Sequence, residues 1–594
     1  MTPDLNLGII GNCAVGALID RNGRYVWACL PQLDSDPFFT ALIDGEDPSR
    51  GFFDIELEGF SHAEQNYDRN TAILTTRLHC VKGSIVEIID LAPRFLNHGR
   101  TFRPTTFLRR IRTVAGEPFV TIRLRPNVDY GRGVPVTTRG SNHIRYVGTD
   151  HVMRLTTNAP VAYILDETSF LLQEPLDLLL GPDESLADPL ADTSRRFLDE
   201  TARYWRNWSR SLSIPFEYQD VVIRAAITLK LCTFEETGAV VAALTTSVPE
   251  HAHSGRNWDY RFCWLRDAYF VVQALNRLGA TKTMEGLITY ISNIVARTGG
   301  GHIQPVYSIT TNPNLEEWMT DGLQGYRGMG PVRIGNQASE HIQNDVYGQV
   351  ILVATQAFFD RRLFLPDLPA LFERLELAGE QAWALYDKPD AGLWEFRTIA
   401  QVHTYSAAMC WAGCDRLAKI ALSLGLNERS DYWRKRAEIM RDRIMAECWN
   451  AEINSFADAF GGSNVDASLL QLADIGLIPA DDPRFIGTVE AVGRELKRGQ
   501  HVFRYISKDD FGEPETAFNV CTFWYIEALC AIGRMEEARE LYDAVLASCN
   551  HLGLLSEDID PATGELWGNF PQTYSMVGMI TCATLLSRSW KEAL

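Results

Sequence analysis

The stretch TSRRFLDETARYWRNWSRSL, residues 193–212, is where the chain changes character. It reads as a connecting helix. On its N-terminal side the pattern is β. GALIDRNGRYVWACL (residues 16–30) carries two short apolar runs joined through Asn22-Gly23, the signal of a type I′ hairpin. FFDIEL, TAILTTRLHC, SIVEIIDLA, TTFLRRIRTV, FVTIRLRP, VMRLTT, VAYILD and FLLQEPLDLLL follow at intervals of roughly ten to fifteen residues, as in an antiparallel sandwich. On its C-terminal side helical segments start near Tyr218, Arg266, Thr281, Gln337, Pro369, Thr404, Asn427, Asp466, Phe485, Thr516, Met535 and Pro571. With no repeated motif among them, these twelve predict six hairpins closed into an α/α barrel. The expected division is a β-sandwich over residues 1–195, a linker helix over 196–217 and an (α/α)6 barrel over 218–594.

A chain of 594 residues exceeds the usual size of one core, so more than one domain is expected. The formal net charge of −20 argues against nucleic acid or an anionic membrane as partner. Twelve scattered cysteines include no CxxC pair; Cys410 and Cys414 lack the second pair that a zinc site needs. The N-terminus lacks the features of a signal peptide, and no apolar run reaches bilayer length, so a cytoplasmic location is expected. No GK[ST] follows Gly299 to Gly301, and no GxGxxG follows a strand, so no nucleotide cofactor is expected; with no Cys or His cluster completing a ligand set, no metal is expected either. The stretch 297–335 has no clear periodicity and is expected to be a functional loop.

Three segments carry candidate chemistry. RNWDYRFCWLRDAYF (residues 256–270) sets six aromatic rings among five charges. Sugars have apolar C–H faces and polar edges, so a saccharide site needs both kinds of group together. Trp258, Tyr260 and Trp264 can supply faces, and Arg266 and Asp267 can grip adjacent hydroxyls; the bland alternative is a buried Arg–Asp network at a helix start. In DAGLWEFRT (390–398), Glu395 lies between Trp394 and Phe396, and poor solvation there would raise its pKa and suit a proton donor. In GLLSEDIDPATGELWGNFPQ (553–572), Glu557 lies in an acidic, turn-rich loop, where an exposed carboxylate would stay ionised and act as a base on water. One acid, one base and aromatic platforms are the toolkit of glycoside hydrolysis.

These residues carry a resemblance. The segment 6–44 is similar to the β-rich N-terminal domain of trehalase-like members of glycoside hydrolase family 15. NWDYRFCWLRDA, GYRGMGPVRIGN, QNDVYG, GLWEFR, Phe503-Arg504-Tyr505, FNVCTFWYIEAL and LLSEDIDPATGE resemble its catalytic domain, in order. The resemblance implies an inverting, exo-acting α-glucoside hydrolase that releases β-glucose from a non-reducing end, with Glu395 as general acid and Glu557 as general base. It implies that Tyr260 helps place the water, and that Arg266, Asp267 and Arg504, with Trp264 and Trp394 beside them, bind the glucosyl unit. Asn344 and Asp345 of the QND segment are expected to line the pocket. The loops before Arg333 and around Gly512 are expected to form its rim, and a loop of the N-terminal domain to narrow its mouth.

Phe396, Ala407 and Met576 depart from patterns common in the family, which bears on the leaving-group side. Trehalose is the expected substrate. A glucoamylase acting on malto- or isomalto-oligosaccharides, a disaccharide phosphorylase and a non-catalytic sugar-binding protein are the alternatives. The only partner expected is a small saccharide; the oligomeric state, a homo-oligomer included, is left open.

Overall fold

The computed structural model describes residues 2–594. The N-terminal third forms two antiparallel sheets. The seven-stranded one runs Gly8–Gly11, Gly16–Ile19, Tyr25–Cys29, Phe52–Leu57, Phe119–Arg125 and Phe170–Leu171, with Pro37–Phe39 beside Tyr25–Cys29. The eight-stranded one runs Val136–Arg139, His143–Val147, Val152–Thr157, Leu176–Pro182, Phe107–Ala115, Ile85–Leu91, Leu74–Cys80 and Phe60–Tyr67. Gly8–Gly11 of the first sheet packs on Leu74–Cys80 and Ile85–Leu91 of the second. Between the sheets Arg109 pairs with Asp90 at 2.8 and 3.0 Å, with its guanidinium over the rings of Tyr25 and Phe53. Two buried charges are tolerated there because both are hydrogen-bonded.

Two local expectations fail. A type I′ turn needs positive φ at both central residues. Gly23 has φ +79° but Asn22 does not, because the Asp20 carboxylate accepts from the N–H groups of Asn22 and Arg24 and Gly23 N–H reaches Asp20 O. VAYIL (161–165) is a short helix instead of a strand, since Pro160 starts a turn whose carbonyl accepts from Tyr163 and Ile164.

Helix α1 (Leu190–Arg210) lies against Phe95–Asn97 and Leu176–Pro182 and buries Phe197, Ala202 and Trp205. It therefore covers the second sheet. The remaining helices are α2 (Gln219–Leu231), α3 (Leu265–Leu278), α4 (Thr281–Thr298), α5 (Asp345–Phe359), α6 (Leu368–Leu385), α7 (Thr404–Ser423), α8 (Asn427–Cys448), α9 (Pro483–Leu496), α10 (Asn519–Ala531), α11 (Met535–Ala547) and α12 (Thr573–Leu586), with a single further turn at Trp590–Ala593. Helix α3 packs on α5, α5 on α7, α10 on α12, and α12 on α3; the 3₁₀ turn Ala467–Gln471 sits between α7 and α10. Helices α2, α4, α6, α8, α9 and α11 pack outside these. Composition follows position: α10 and α12 are buried nearly all round, while α8 keeps Arg and Glu on an exposed face. The segment expected to start a helix near Gln337 gives a 3₁₀ turn, and the α-helix waits until Asp345. That near Asp466 remains a short 3₁₀ turn, because Gly476 and Pro479 follow too closely for an inner helix.

The two parts share one continuous apolar core. Trp27 Nε1 donates to Leu244 O at 2.7 Å, and Asn550 Nδ2 donates to Leu5 O and Leu7 O. Asp44–Gly45 pairs in parallel with Gly325–Tyr326 as a separate two-stranded ribbon, so part of the loop 297–335 is tied to the N-terminal part. Among the described residues no helix is long and apolar enough to cross a membrane.

Candidate active site

A cavity of about 880 Å³, counting its open mouth, lies at the end where the chain enters the inner helices. Residues 256–264 run extended into α3, and the alternation of an extended chain explains their composition. Arg256, Trp258, Tyr260 and Trp264 face the cavity. Asp259 and Arg261 face the other way, paired at 2.7 and 2.9 Å and fully buried, with Arg261 donating to Ser35 O of the sheet region at 2.7 Å. A buried Arg–Asp pair thus occupies one face of this stretch, while the other face lines the cavity. Arg266 and Asp267 open α3 and also line the cavity; burial pushes the Asp267 carboxyl up to about 6 despite the Arg266 guanidinium 3.1 Å away.

Glu395 sits in the loop before α7 with φ +61°, a left-handed conformation that costs a non-glycine residue free energy and clusters at functional sites. Its Oε1 accepts from Trp264 Nε1 at 2.8 Å and from Arg266 Nη1 at 3.0 Å. The expected carboxyl stranded among rings is thus corrected: the Trp264 ring offers its N–H edge and a guanidinium shares the same oxygen. Trp394 lines the cavity with its Nε1 fixed to Asp466 Oδ2 at 2.7 Å.

Glu557 is corrected more sharply. The loop that carries it folds inward, and the residue is 1% exposed. Tyr260 Oη donates to its Oε1 at 2.5 Å, while Oε2 is buried without a hydrogen-bond partner. Burial raises the Glu557 pKa, and the charge of Glu250 raises it further; the Tyr260 hydrogen bond and the Arg504 guanidinium oppose them.

Arg504 lines the cavity and donates to Glu250 Oε2 at 2.7 Å, and Trp258 Nε1 donates to Glu250 Oε1 at 2.9 Å. Sequence reasoning missed Glu250, which lies in a segment without periodicity. The rim around Gly512 is present as Asp509, Asp510 and Phe511; Arg256 grips Asp509 with two bonds of 2.6 and 2.7 Å. The loop before Arg333 stays behind the wall, where its Glu317 meets Arg333 and Arg397. Arg333 and Arg397 lie over the Trp258 ring at 4.8 and 4.7 Å.

Asn344 and Asp345 do not line the cavity. Asn344 donates to the carbonyls of Leu385 and Lys388, and Asp345 is buried at the head of α5 with its Oδ2 on Gln349. Carbonyls at the C-terminal end of α6 and the Gln349 side chain occupy these polar groups, away from the cavity. Phe396 lines the cavity against His403 and Tyr505, whereas Ala407 and Met576 are fully buried in α7 and α12 and line none of it. Among the described residues nothing before Ala242 lines the cavity, so the N-terminal part supports this wall from behind and does not narrow the mouth.

Set side by side, one carboxyl is held by Trp264 and Arg266 and the other by Tyr260, and the Tyr260 and Trp264 rings meet edge to face at 5.4 Å. Each carboxyl keeps its second oxygen outside those bonds. Such a pair can give a proton on one side of a bound group and take one on the other.

The profile described as "Glycosyl hydrolases family 15" matches residues 217–584, and that described as "Trehalase-like, N-terminal" matches residues 3–169. The chain is 32% identical to a protein named Trehalase from Thermoplasma volcanium, over 98% of this chain and 93% of that one. It is 32% identical to a Trehalase from Thermoplasma acidophilum, covering 96% and 98%. It is 30% identical to a Trehalase from Mycolicibacterium smegmatis, covering 100% and 92%. Its structure is similar to that of a bacterial glucoamylase complexed with acarbose, with a TM-score of 0.69 at 14% identity, covering 98% of this chain and 94% of that one.

Proposed function

The chain belongs to glycosyl hydrolase family 15, and on that premise we propose that it hydrolyses α,α-trehalose by a single inverting displacement. It is a glycoside hydrolase; the choice of trehalose rests on full-length likeness to relatives that bear the name Trehalase. The scaffold in this reading is a β-sandwich on an (α/α)6 barrel, supported by the closed order in which the inner elements pack. All twelve cysteines are free thiols, which supports a reducing compartment such as the cytoplasm.

One observation carries the mechanism: two carboxyls share one cavity, each pinned through a single oxygen. Glu395, its Oε1 held by Trp264 and Arg266, delivers a proton from Oε2 to the glycosidic oxygen as that bond lengthens. Glu557, its Oε1 held by Tyr260, takes a proton on Oε2 from a water attacking the opposite ring face. Inverting chemistry sets the two carboxyls roughly 6.5–9.5 Å apart to admit that water. Arg266, Asp267 and Arg504 bind the hydroxyls of the glucosyl unit, and Trp394 and Trp264 cover its C–H faces. The departing sugar leaves past Phe396 toward the rim.

The test is a panel of trehalose, maltose, isomaltose and maltotriose followed by proton NMR. Trehalose should be the best substrate, with β-glucose from the attacked unit and α-glucose from the leaving unit in equal amounts at first. Cleavage of maltotriose in preference to trehalose would reassign the enzyme as a glucoamylase. Retention of the α anomer on both sugars would remove the inverting mechanism.

A further inference from the structure

Far from the cavity, the edge hairpin of the second sheet carries a cluster that catalysis does not use. His62 and Glu64 are two apart on the strand Phe60–Tyr67 and so share a face. His79, on Leu74–Cys80, stands directly opposite His62 in the register. The two imidazoles stack at 4.4 Å, and one ligand atom from each of His62, Glu64 and His79 lies within 4.8 Å of the others.

The protonation pattern is legible from the hydrogen bonds. Ser61 Oγ lies 2.9 Å from His79 O and 3.0 Å from His62 Nδ1. A hydroxyl has one proton, and the carbonyl can only accept, so Ser61 gives its proton to His79 O. It therefore accepts from His62 Nδ1–H, which leaves the lone pair of a neutral His62 on Nε2. His79 Nε2 is shielded from solvent without a hydrogen-bond partner, 3.9 Å from the Glu64 carboxylate. Arg77, the residue opposite Glu64, spends its guanidinium on Glu87.

We propose that His62, His79 and Glu64 form a binding site for a divalent transition-metal ion, with Ser61 fixing the tautomer of His62. Two imidazoles and one carboxylate suit zinc or copper, with water completing the shell. An imidazole ligand whose other N–H is held by a fixed acceptor is the usual outer arrangement of such a site. The ion would tie the edge strand to its neighbour and guard an edge otherwise open to pairing with another chain.

The test uses the full, untagged chain. Calorimetric titration with ZnCl₂ should give a site that His62→Ala and His79→Ala each abolish. Ser61→Ala should weaken it by about 10–100-fold, as loss of an outer partner does. Bound Cu²⁺ should show hyperfine coupling to two imidazole nitrogens, reduced in the His62 variant. Zinc should raise the Tm of the parent chain and leave that of His62→Ala unmoved. His62 is exposed, so its variant tests the site even where a change at His79 disturbs the sheet. Zinc binding of equal affinity in the parent and His62→Ala, or no zinc binding at all, overturns the proposal.

Discussion

Tyr260 donates a 2.5 Å hydrogen bond to Glu557, a residue 297 positions further along the chain. The bond favours the ionised carboxylate that a base requires, against the burial that disfavours it. Tyr260→Phe should lower kcat/KM by about 10–100-fold, the worth of one hydrogen bond to a charged group. With that donor gone the Glu557 pKa climbs further, so the acidic limb of the rate profile should move to higher pH. A lower rate with an unmoved limb would assign Tyr260 to packing alone.

The two carboxyls can be told apart by leaving group. Glu395→Gln and Glu557→Gln should each cost roughly 10²–10⁴-fold on trehalose. Fluoride departs without a proton, so on α-glucosyl fluoride Glu395→Gln should recover most of its rate while Glu557→Gln stays slow. Recovery in the Glu557 variant instead would exchange the two roles.

Glu250 raises the Glu557 pKa by its charge. Glu250→Gln keeps an acceptor for Arg504 while removing that charge, so the acidic limb of kcat/KM should shift to lower pH. The same linkage acts on stability. A carboxyl whose pKa is raised in the folded state destabilises the fold progressively as pH rises from its unfolded value toward its folded one. Glu557→Gln should therefore leave Tm unchanged in acid and raise it increasingly toward neutral pH. A Tm gain that shrinks with rising pH would contradict the direction of the shift.

The rim loop depends on the Arg256–Asp509 pair, both of whose side chains are about 5–6% exposed. A lysine cannot reproduce the two-pronged contact. Arg256→Lys should raise KM for the disaccharide about tenfold, on the scale of one charge-assisted hydrogen bond, with a smaller change in kcat. Steady-state kinetics decides this, and a fall in kcat at constant KM would place the effect on the reacting carboxyls.

Helices α5 and α7 cross at Gly348, where an added Cβ would overlap the carbonyl oxygen of Met409. The obstacle is backbone, so no side chain can swing away. Gly348→Ala should destabilise by about 1–3 kcal/mol, as overpacking does, read as a lower unfolding midpoint in denaturant. An unchanged midpoint would mean that the inner helices can part at this crossing.

The sequence by itself determined the order of the architecture, strands first and then helices, because periodicity is a local property that each segment displays unaided. Even the punctuation was mostly local: helices start within a few residues of Arg266, Thr281, Thr404, Asn427 and Met535 as the pattern implies. Where local signals competed, at Asn22-Gly23 and at Val161–Leu165, a carboxylate cap and a proline turn prevailed. Likeness of motif, more than residue chemistry, singled out Glu395 and Glu557. What only the tertiary structure decided is their surroundings: Glu557 drawn inward onto Tyr260, Glu395 shared between Trp264 and Arg266, Glu250 paired with Arg504 in the cavity wall, and Asp345 kept out of the cavity. A carboxyl's solvation and charge are set by groups hundreds of residues distant in the chain, so no local pattern can record whether it will be buried, paired or free to take a proton.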